Sequence, residues 1–370
     1  MSSLSDVVIS DRLSDANPVR FRGTSNLSVS WELSRAGQLA FDIPVRDLVA
    51  YGFPDPMALQ DKWIRYEHPT AGKWGGVITS VAPSNRVVSI GAESWAIALS
   101  GVATRGGGGA QFGLVGMLMQ QIDQTYALTG IRRGTMDLGG SDVIVRDEPV
   151  QSGQDIYESY LPSVLDRWLT DRVKTPRLQA AGWNVDPETR QLSFDSTYGV
   201  DRSSVVSVRS GRHVVSTDLN ADTRDVVNAV VIVGKVNYTW TETETFRNAK
   251  GKRRTRRITR TGVKNESVRG IDAASLARHG EKSVVFREDF PSTASMQAAA
   301  TSRARGLTLD TINASVQTAD VGGLWALVRE GDIIHADLVG ERVAGKMVVR
   351  MRALDVASGI MTYAGELLPS

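Results

Sequence analysis

"NLSVSWELSRAGQLAFDIPV", Asn26 to Val45, carries two runs of alternating apolar residues. Leu27, Val29, Trp31 and Leu33 recur at every second residue. Leu39, Phe41 and Ile43 do the same beyond Ala36-Gly37. Successive side chains of an extended strand point to opposite faces, so each run gathers its apolar residues on one side. Two such runs joined across a glycine predict a β-hairpin with one buried face. The alternation continues in "DKWIRYEHP" from Asp61, "WGGVITSVAP" from Trp74 and "RVVSIGAESWAIAL" from Arg86. Thr70-Ala71-Gly72 and Pro83-Ser84-Asn85 punctuate these runs. Short strands with regular turns predict an antiparallel barrel or sandwich over residues 1–102.

The pattern changes from 103 to 222. "ATRGGGGAQFG" reads as a flexible loop. Leu114, Met117, Leu118 and Ile122 then recur at helical spacing within Phe112 to Ala127. A second helix is expected from Ser152 to about Thr170, with Ser152 as its cap and Asp155 three residues on. Ile156, Tyr160, Leu161, Val164, Leu165 and Trp168 would face inward, and Pro162 should kink or restart the helix. "AGWNVDPETRQLSFDS" predicts a hairpin turning at Asp186-Pro187. This central region is read as mixed α/β.

Strands return in the third region, 223–370. "DVVNAVVIVGKVNYTW" is a long apolar strand. Helices are expected from Asp272 to His279, stopped by Gly280, and from Ser292 to Arg305, stopped by Gly306. "GLTLDTINASVQ", "GDIIHADLVG", "AGKMVVRMRALDV" and "GIMTYAGELL" then form a meander, read as a second small antiparallel barrel. The expected class is therefore α+β, mainly β, with two small barrels around a mixed centre. No repeat is visible by identity, but comparable β units at both ends allow an internal duplication.

Composition narrows the function classes. The chain has 370 residues, 41% hydrophobic and 23% charged, with a formal net charge of +2. That length supports two or three domains, and that charge is low for a dedicated nucleic-acid binder. There are no cysteines, which excludes disulfides, thiolate nucleophiles and Cys-ligated metals. The N-terminal "MSSLSDVVISDR" lacks the features of a signal peptide. Apolar runs such as Ala229–Val233 are far short of the roughly 20 residues of a membrane helix, so stable membrane insertion is not expected.

The most charged stretch is "KGKRRTRRITR", Lys250 to Arg260, with seven basic residues in eleven. Before it, Thr239, Thr241, Thr243 and Thr245 alternate with Trp240, Glu242, Glu244 and Phe246. Both flanks have period two, so residues 237–264 predict a long hairpin with an acidic arm and a basic arm. Glu242 and Glu244 would lie opposite or diagonal to some of Arg254, Arg256 and Arg257. Two glutamates cannot balance the basic arm, so positive charge remains at the tip. A solvated or inter-subunit ribbon, a contact with an acidic protein surface, and a contact with nucleic-acid phosphates all fit. No aromatic stacking platform is interleaved with the arginines, which weakens the last of these.

Catalytic signals are mostly absent, although a glycosidase pair stays open because its two carboxylates need not be close in the chain. "GERVAGKM", Gly340 to Met347, nearly matches a phosphate-binding loop, but Met347 stands where Ser or Thr would hold magnesium. The segment after it alternates like a strand, whereas a phosphate loop needs a helix. His68, His213, His279 and His335 are scattered and form no ligand pair. Asp147-Glu148 and Glu288-Asp289 sit beside arginines and read as loop charges. No catalytic, cofactor-binding or metal-binding residue is assigned, and no cofactor is expected.

The order of features resembles the tail hub (baseplate hub or tail tip) proteins of tailed bacteriophages and related contractile injection machines. "SVSWELSRAGQLAFDIPV" resembles the first barrel's hairpin and "DKWIRYEHPTAGKWGGVITSV" the next strand pair. "TRDVVNAVVIVGK" resembles the strand opening the second barrel, and "REGDIIHADL" a later strand of it. The resemblance spans most of the chain, but the "TETETF…RRTRRITR" hairpin departs from it and looks like an insertion. The resemblance implies a non-enzymatic homotrimer whose six tube-like barrels make a pseudo-six-fold ring around the tail lumen. It also implies a place in the virion at the tail tip, reached by assembly in the host cytoplasm. Implied partners are the distal tail protein or tail tube, the tape-measure protein and a central fibre or spike, with DNA passing through the lumen during genome ejection. The competing readings are a phage-borne cell-wall-degrading hydrolase and a nucleic-acid binder acting through Arg253, Arg254, Arg256 and Arg257.

Overall fold

The computed structural model describes residues 6–12, 15–106, 112–138, 144–145, 152–165, 180–222, 227–247, 249, 251–306, 311–338 and 343–369. The chain divides into two compact units. The first comprises residues 1–172, 178–220 and 312–370; the second comprises 173–177 and 221–311. The fold is mainly β. Its strands are β1 (Val7–Ser10), β2 (Val19–Phe21), β3 (Ser25–Glu32), β4 (Gln38–Pro44), β5 (Trp63–His68), β6 (Gly72–Pro83) and β7 (Val87–Ser94). There follow β8 (Phe112–Gly113), β9 (Arg132–Asp137), β10 (Ile144–Val145), β11 (Ala180–Val185), β12 (Gln191–Tyr198), β13 (Ser207–Arg209) and β14 (Val214–Asp222). The last seven are β15 (Ala229–Arg247), β16 (Arg253–Ile271), β17 (Ser283–Arg287), β18 (Thr311–Thr318), β19 (Ile333–Leu338), β20 (Val343–Asp355) and β21 (Ile360–Pro369).

The Asn26–Val45 hairpin forms as its alternation predicts. Leu27, Val29, Leu33, Leu39, Phe41 and Ile43 are all buried. Gly37 is required by crowding, because a Cβ there would stand 2.2 Å from the Ser30 carbonyl oxygen. The two expected barrels do not close separately. Strands from both ends of the chain share one open 13-stranded sheet, with the path β14-β18-β21-β20-β3-β4-β7-β6-β5-β1-β2, and β19 and β13 branching from β20. The joint is β20 against β3, antiparallel, with Met351 opposite Glu32 and Asp355 opposite Ser28. A strand edge left bare exposes a row of unpaired backbone groups, and the two β units cover one such edge each by pairing with one another.

The duplication hidden at the level of identity is explicit in the pairing. One arrangement runs β1-β5-β6-β7-β4-β3 and the other β13-β19-β20-β21-β18-β14. Trp63 opposite Val77 and Val77 opposite Glu93 recur as Ile333 opposite Val348 and Val348 opposite Glu366. Gln38 opposite Glu93 recurs as Asn313 opposite Glu366. Both long strands bulge at the same place, between Ile78 and Ser80 and between Val349 and Met351. The turn before each matches too. Ile78 N donates to Lys62 O at 3.0 Å and Val349 N to Asp332 O at 2.9 Å. Asp61 N donates to Ile78 O and Gly331 N to Val349 O, and both Asp61 and Gly331 have positive φ, 63° and 87°. A short helix follows the first hairpin strand in each case, α1 (Val45–Ala50) after β4 and Leu324–Leu327 after β18. The arrangements differ at the far strand, since β1 runs antiparallel to β5 and β13 parallel to β19.

The β3–β20 joint is held by a buried charge. Arg352 is 2% exposed. Its Nε donates to Glu330 Oε1, its Nη1 donates to Ala71 O at 3.1 Å, and the guanidinium lies 4.8 Å from the Trp31 ring centre. Trp31 Nε1 donates to Lys73 O at 2.8 Å, and Trp74 Nε1 to Ser30 O at 2.9 Å. A buried guanidinium is tolerated only when paired and hydrogen-bonded, and this site supplies both.

A second core in the first unit packs helix α2 (Leu114–Thr129) with the sheet β11-β12-β9. Leu114, Met117, Leu118 and Ile122 are buried as their spacing predicts, and Gly130 ends the helix in the left-handed conformation. The Asp186 turn joins β11 to β12 as expected, its carboxylate accepting from Glu188 N and Thr189 N. Two local readings change. Residues 95–99 form a 3₁₀ turn, not the end of a strand. The helix expected from Ser152 is a π turn over Ile156–Tyr160 followed by α-helix at 161–165, so it starts at Asp155 and tightens at Pro162, as the proline demands. Residues 166–170 of that expectation, and the glycine run at 107–111, lie outside the described residues.

The second unit is the sheet β16-β15-β17 with two helices, Ala273–His279 and Thr293–Gly306. Asp272 caps the first, accepting from Ala274 N and Ser275 N at 3.0 Å each. Val230, Ile232, Val236, Val268, Met296, Ala300 and Ala304 make its core. The small residues are required there, since a Cβ on Gly270 would stand 2.1 Å from the Ala300 backbone.

Arg352→Ala is expected to lower the unfolding free energy of the first unit by about 3–5 kcal/mol, because Glu330 is left buried without its cation. Arg352→Met combined with Glu330→Leu removes both charges and is expected to recover most of that loss. Chemical denaturation of the two variants measures the difference.

Candidate functional surfaces

The charged hairpin is longer than the sequence suggested. β15 and β16 pair in unbroken antiparallel register from Ala229 opposite Ile271 to Arg247 opposite Arg253. Among the described residues, none from Asn237 to Ser267 is buried. The register sorts the side chains onto two faces. One carries Thr239, Thr241, Thr243 and Thr245 beside Thr255, Arg257, Thr259 and Thr261. The other carries Tyr238, Trp240, Glu242, Glu244 and Phe246 beside Arg254, Arg256, Ile258, Arg260 and Gly262.

The second face is ordered by its own pairs. Glu244 lies opposite Arg256 and bonds its Nε at 2.7 Å. Glu242 lies opposite Ile258 and reaches diagonally to Arg260 Nε, also at 2.7 Å. Trp240 Nε1 donates to Glu242 at 2.8 Å, and that bond leads the causes that hold the Glu242 carboxyl below its usual range. The rings of Tyr238 and Trp240 stack 5.1 Å apart, and the Arg256 guanidinium stands 5.4 Å from the Phe246 ring centre. The sequence reading found no aromatic residues among the arginines; the register places them there from the other strand. Arg254 faces Phe246 and Arg257 faces Thr243.

Four strand edges of the 13-stranded sheet lack a partner among the described residues: β2, β13, β14 and the end of β6. β14 stands at the end of the sheet path. In β6, Gly72–Val77 pair with β5 and Ser80–Pro83 pair with β7, while the other side of Ser80–Pro83 has no ladder among the described residues. Val81 on β6, and Val214 and Leu219 on β14, are half-buried against the main core. Val215 on β14 is 58% exposed.

Among the described residues, no three His, Asp or Glu side chains are placed to hold a metal ion. Lys346 and Met347 of the phosphate-loop-like segment lie in strand β20, as the alternation predicts. Glu288 is engaged by Arg303 through two bonds of 2.8 and 2.9 Å, and Asp289 accepts from Lys235 N at 2.7 Å. Asp147 and Glu148 lie outside the described residues. His68 has a structural part. Its Nδ1 accepts from Thr70 N and Ala71 N at 3.3 and 3.1 Å, shaping the turn whose Ala71 carbonyl receives Arg352. Burial lowers its pKa, partly countered by Asp320. No described helix is long and apolar enough to cross a membrane.

No protein-family model matches the chain, and no curated protein matches it in sequence. Solved structures do share the fold. The 43 kDa tail protein of prophage MuSo2 from Shewanella oneidensis matches at a TM-score of 0.60 and 12% identity, covering 98% of both chains. The tail protein from Neisseria meningitidis MC58 matches at 0.58 and 12%, over 99% of this chain and 97% of that one. Prophage tail protein gp18 from Listeria monocytogenes EGD-e matches at 0.57 and 12%, over 98% and 94%. The chain therefore has a phage tail protein fold over nearly its whole length, as the resemblance in its motifs anticipated.

Two outcomes are expected. Replacing 239–261 by an Asn-Gly turn should leave the thermal unfolding of the shortened protein within about 0.5 kcal/mol of the parent, because none of its described residues is buried. His68 favours its neutral form in the fold, so its contribution is full above pH 6.5, the unfolded value, and is lost as pH falls below it. The unfolding midpoint should therefore drop between pH 7 and 5, and His68→Asn should flatten that drop in a calorimetric pH series.

Proposed function

We propose that this protein is a non-enzymatic tail hub: a homotrimer whose six β units form a pseudo-six-fold ring around the tail lumen. The observation that carries the reading is the twice-used strand arrangement, β1-β5-β6-β7-β4-β3 and β13-β19-β20-β21-β18-β14, within one sheet. A chain with two near-equivalent units lets three copies present six similar faces, which is what a threefold part needs to meet a sixfold tube. The fold shared with the three tail proteins supports a structural part in a phage tail.

In this reading the ring joins the tail tube or distal tail protein to the tail tip. The tape-measure protein ends in its lumen, a central fibre or spike lies below, and DNA passes through on ejection. The protein is assembled in the host cytoplasm and stays in the virion. The ring-forming parts are the first arrangement, within residues 7–94, and the second, whose strands come from 207–222 and 311–369. The charged hairpin belongs to neither strand arrangement and is an inserted arm. Nothing among the described residues favours the hydrolase reading.

Light scattering on the purified protein is expected to give about 120 kDa, three times the 40.1 kDa of one chain. A species that holds the single-chain mass at every concentration, together with absence of the chain from purified particles, would overturn the proposal.

A further inference from the structure

We propose that the threonine–arginine face of the β15–β16 ribbon is a docking surface for double-stranded DNA, gripped through its phosphates with the ribbon lying along the major groove. The inference does not depend on the ring reading.

The two faces of the ribbon differ in what they leave unsatisfied. On the aromatic face the partners are internal. Glu244 holds Arg256, Glu242 holds Arg260 and Trp240, and Tyr238 stacks on Trp240. The opposite face has five cross-strand rungs: Thr239–Thr261, Thr241–Thr259, Thr243–Arg257, Thr245–Thr255 and Arg247–Arg253. All ten residues are exposed, and no acidic or apolar side chain interrupts them. Among the described residues, none of these seven hydroxyls and three guanidinium groups has a side-chain hydrogen bond or an ion pair. The threonines alone are explained by their preference for strands. The arginines are not. Like charges directly opposite destabilise a ladder, and Arg247 faces Arg253 at its end. An anion lying across this face relieves that repulsion.

The chemistry selects the occupant. A protein interface keeps an apolar or aromatic centre, and a lipid surface takes up apolar side chains; this face supplies neither. It supplies hydroxyl and guanidinium donors, the groups that contact phosphate oxygens. From Asn237 to Ser267 there are nine basic and three acidic residues, so the ribbon carries more positive charge than the whole chain, which is +2. Side chains on one face recur about every 6.7 Å along each strand, so the donors form a line and not a pocket. A line suits a polymer with regularly spaced phosphates better than a single small anion. A duplex suits it better than a single strand, whose bases need rings to stack on, because the ribbon's rings all belong to the other face. The major groove of B-form DNA, about 12 Å wide, admits a two-stranded β-ribbon, whereas the deep, narrow groove of an RNA duplex does not.

The test is binding of the full-length protein to a fluorescent DNA duplex of mixed sequence, about two helical turns long, over a salt series. Binding is expected at low salt, with log K falling against log salt with a slope of about −3 or steeper. Arg247→Gln, Arg253→Gln and Arg257→Gln together should weaken it at least tenfold and make the slope shallower by about three. Arg256→Gln with Arg260→Gln removes charge from the aromatic face and should leave most of the affinity. An RNA duplex of the same sequence should bind at least tenfold more weakly. The shortened protein lacking 239–261 should not bind, and its thermal unfolding reports that the body is intact. The proposal fails if no duplex binds at low salt, or if the shortened protein binds as the parent does. It fails equally if the aromatic-face pair costs as much as the triple variant, since net charge alone then explains binding. RNA and DNA duplexes bound alike would remove the groove. Polyglutamate displacing the protein as readily as unlabelled DNA would assign the face to acidic proteins and sink the proposal.

Discussion

A β-strand edge cannot stand bare without consequence, and the first unit is organised around that constraint. Its two strand arrangements each end in an edge, and the β3–β20 ladder uses one edge from each to make a single sheet. The ladder crosses the longest sequence distance in the chain, so the two ends of the polypeptide must both be present before either arrangement is complete. The side chains at the joint belong to both. Trp31 comes from the first arrangement and Arg352 and Glu330 from the second, while the carbonyl that receives Arg352 comes from the Ala71 turn of the first. Packing, hydrogen bonding and charge therefore converge on one boundary instead of being spread across two independent barrels.

Much of this was legible in the sequence because period two is a direct consequence of strand geometry. The Asn26–Val45 hairpin, β5 to β7, the Asp186 hairpin and the C-terminal meander all follow from alternation and glycine-containing turns. Helix α2 follows from its spacing, and the Ala273–His279 helix from its Asp272 cap. What alternation cannot say is which edge meets which. β4 and β18 are equivalent, yet "QLAFDIP" and "NASVQTA" share no residue at matched positions. The duplication is conserved in burial, since Leu39, Phe41 and Ile43 match Ala314, Val316 and Thr318, all six of them buried. Volume and polarity at a site are freer to drift than the direction a side chain faces, so register outlives identity.

The hairpin of the second unit shows the same limit in another form. Its existence, length class and charge division were readable from two alternating arms. Its chemistry was not, because the aromatic residues sit on one strand and the arginines on the other. Only register brings Trp240 beside Arg260 and Phe246 beside Arg254 and Arg256. A cross-strand pair can be read from sequence only when the turn fixes the offset, and five residues separate Arg247 from Arg253. The face presented is amphipathic and not simply basic.

The ribbon also has an evolutionary grammar. From Asn237 to Arg247 it extends about 35 Å at roughly 3.3 Å per residue. Because its side chains are exposed and its threonines and aromatics alternate, an inserted or deleted pair of residues on each strand lengthens or shortens the reach and keeps both faces intact. A single-residue change on one strand would exchange the faces beyond it. Length variants of this projection among related chains should thus come in even steps, while the body that carries it stays the same size.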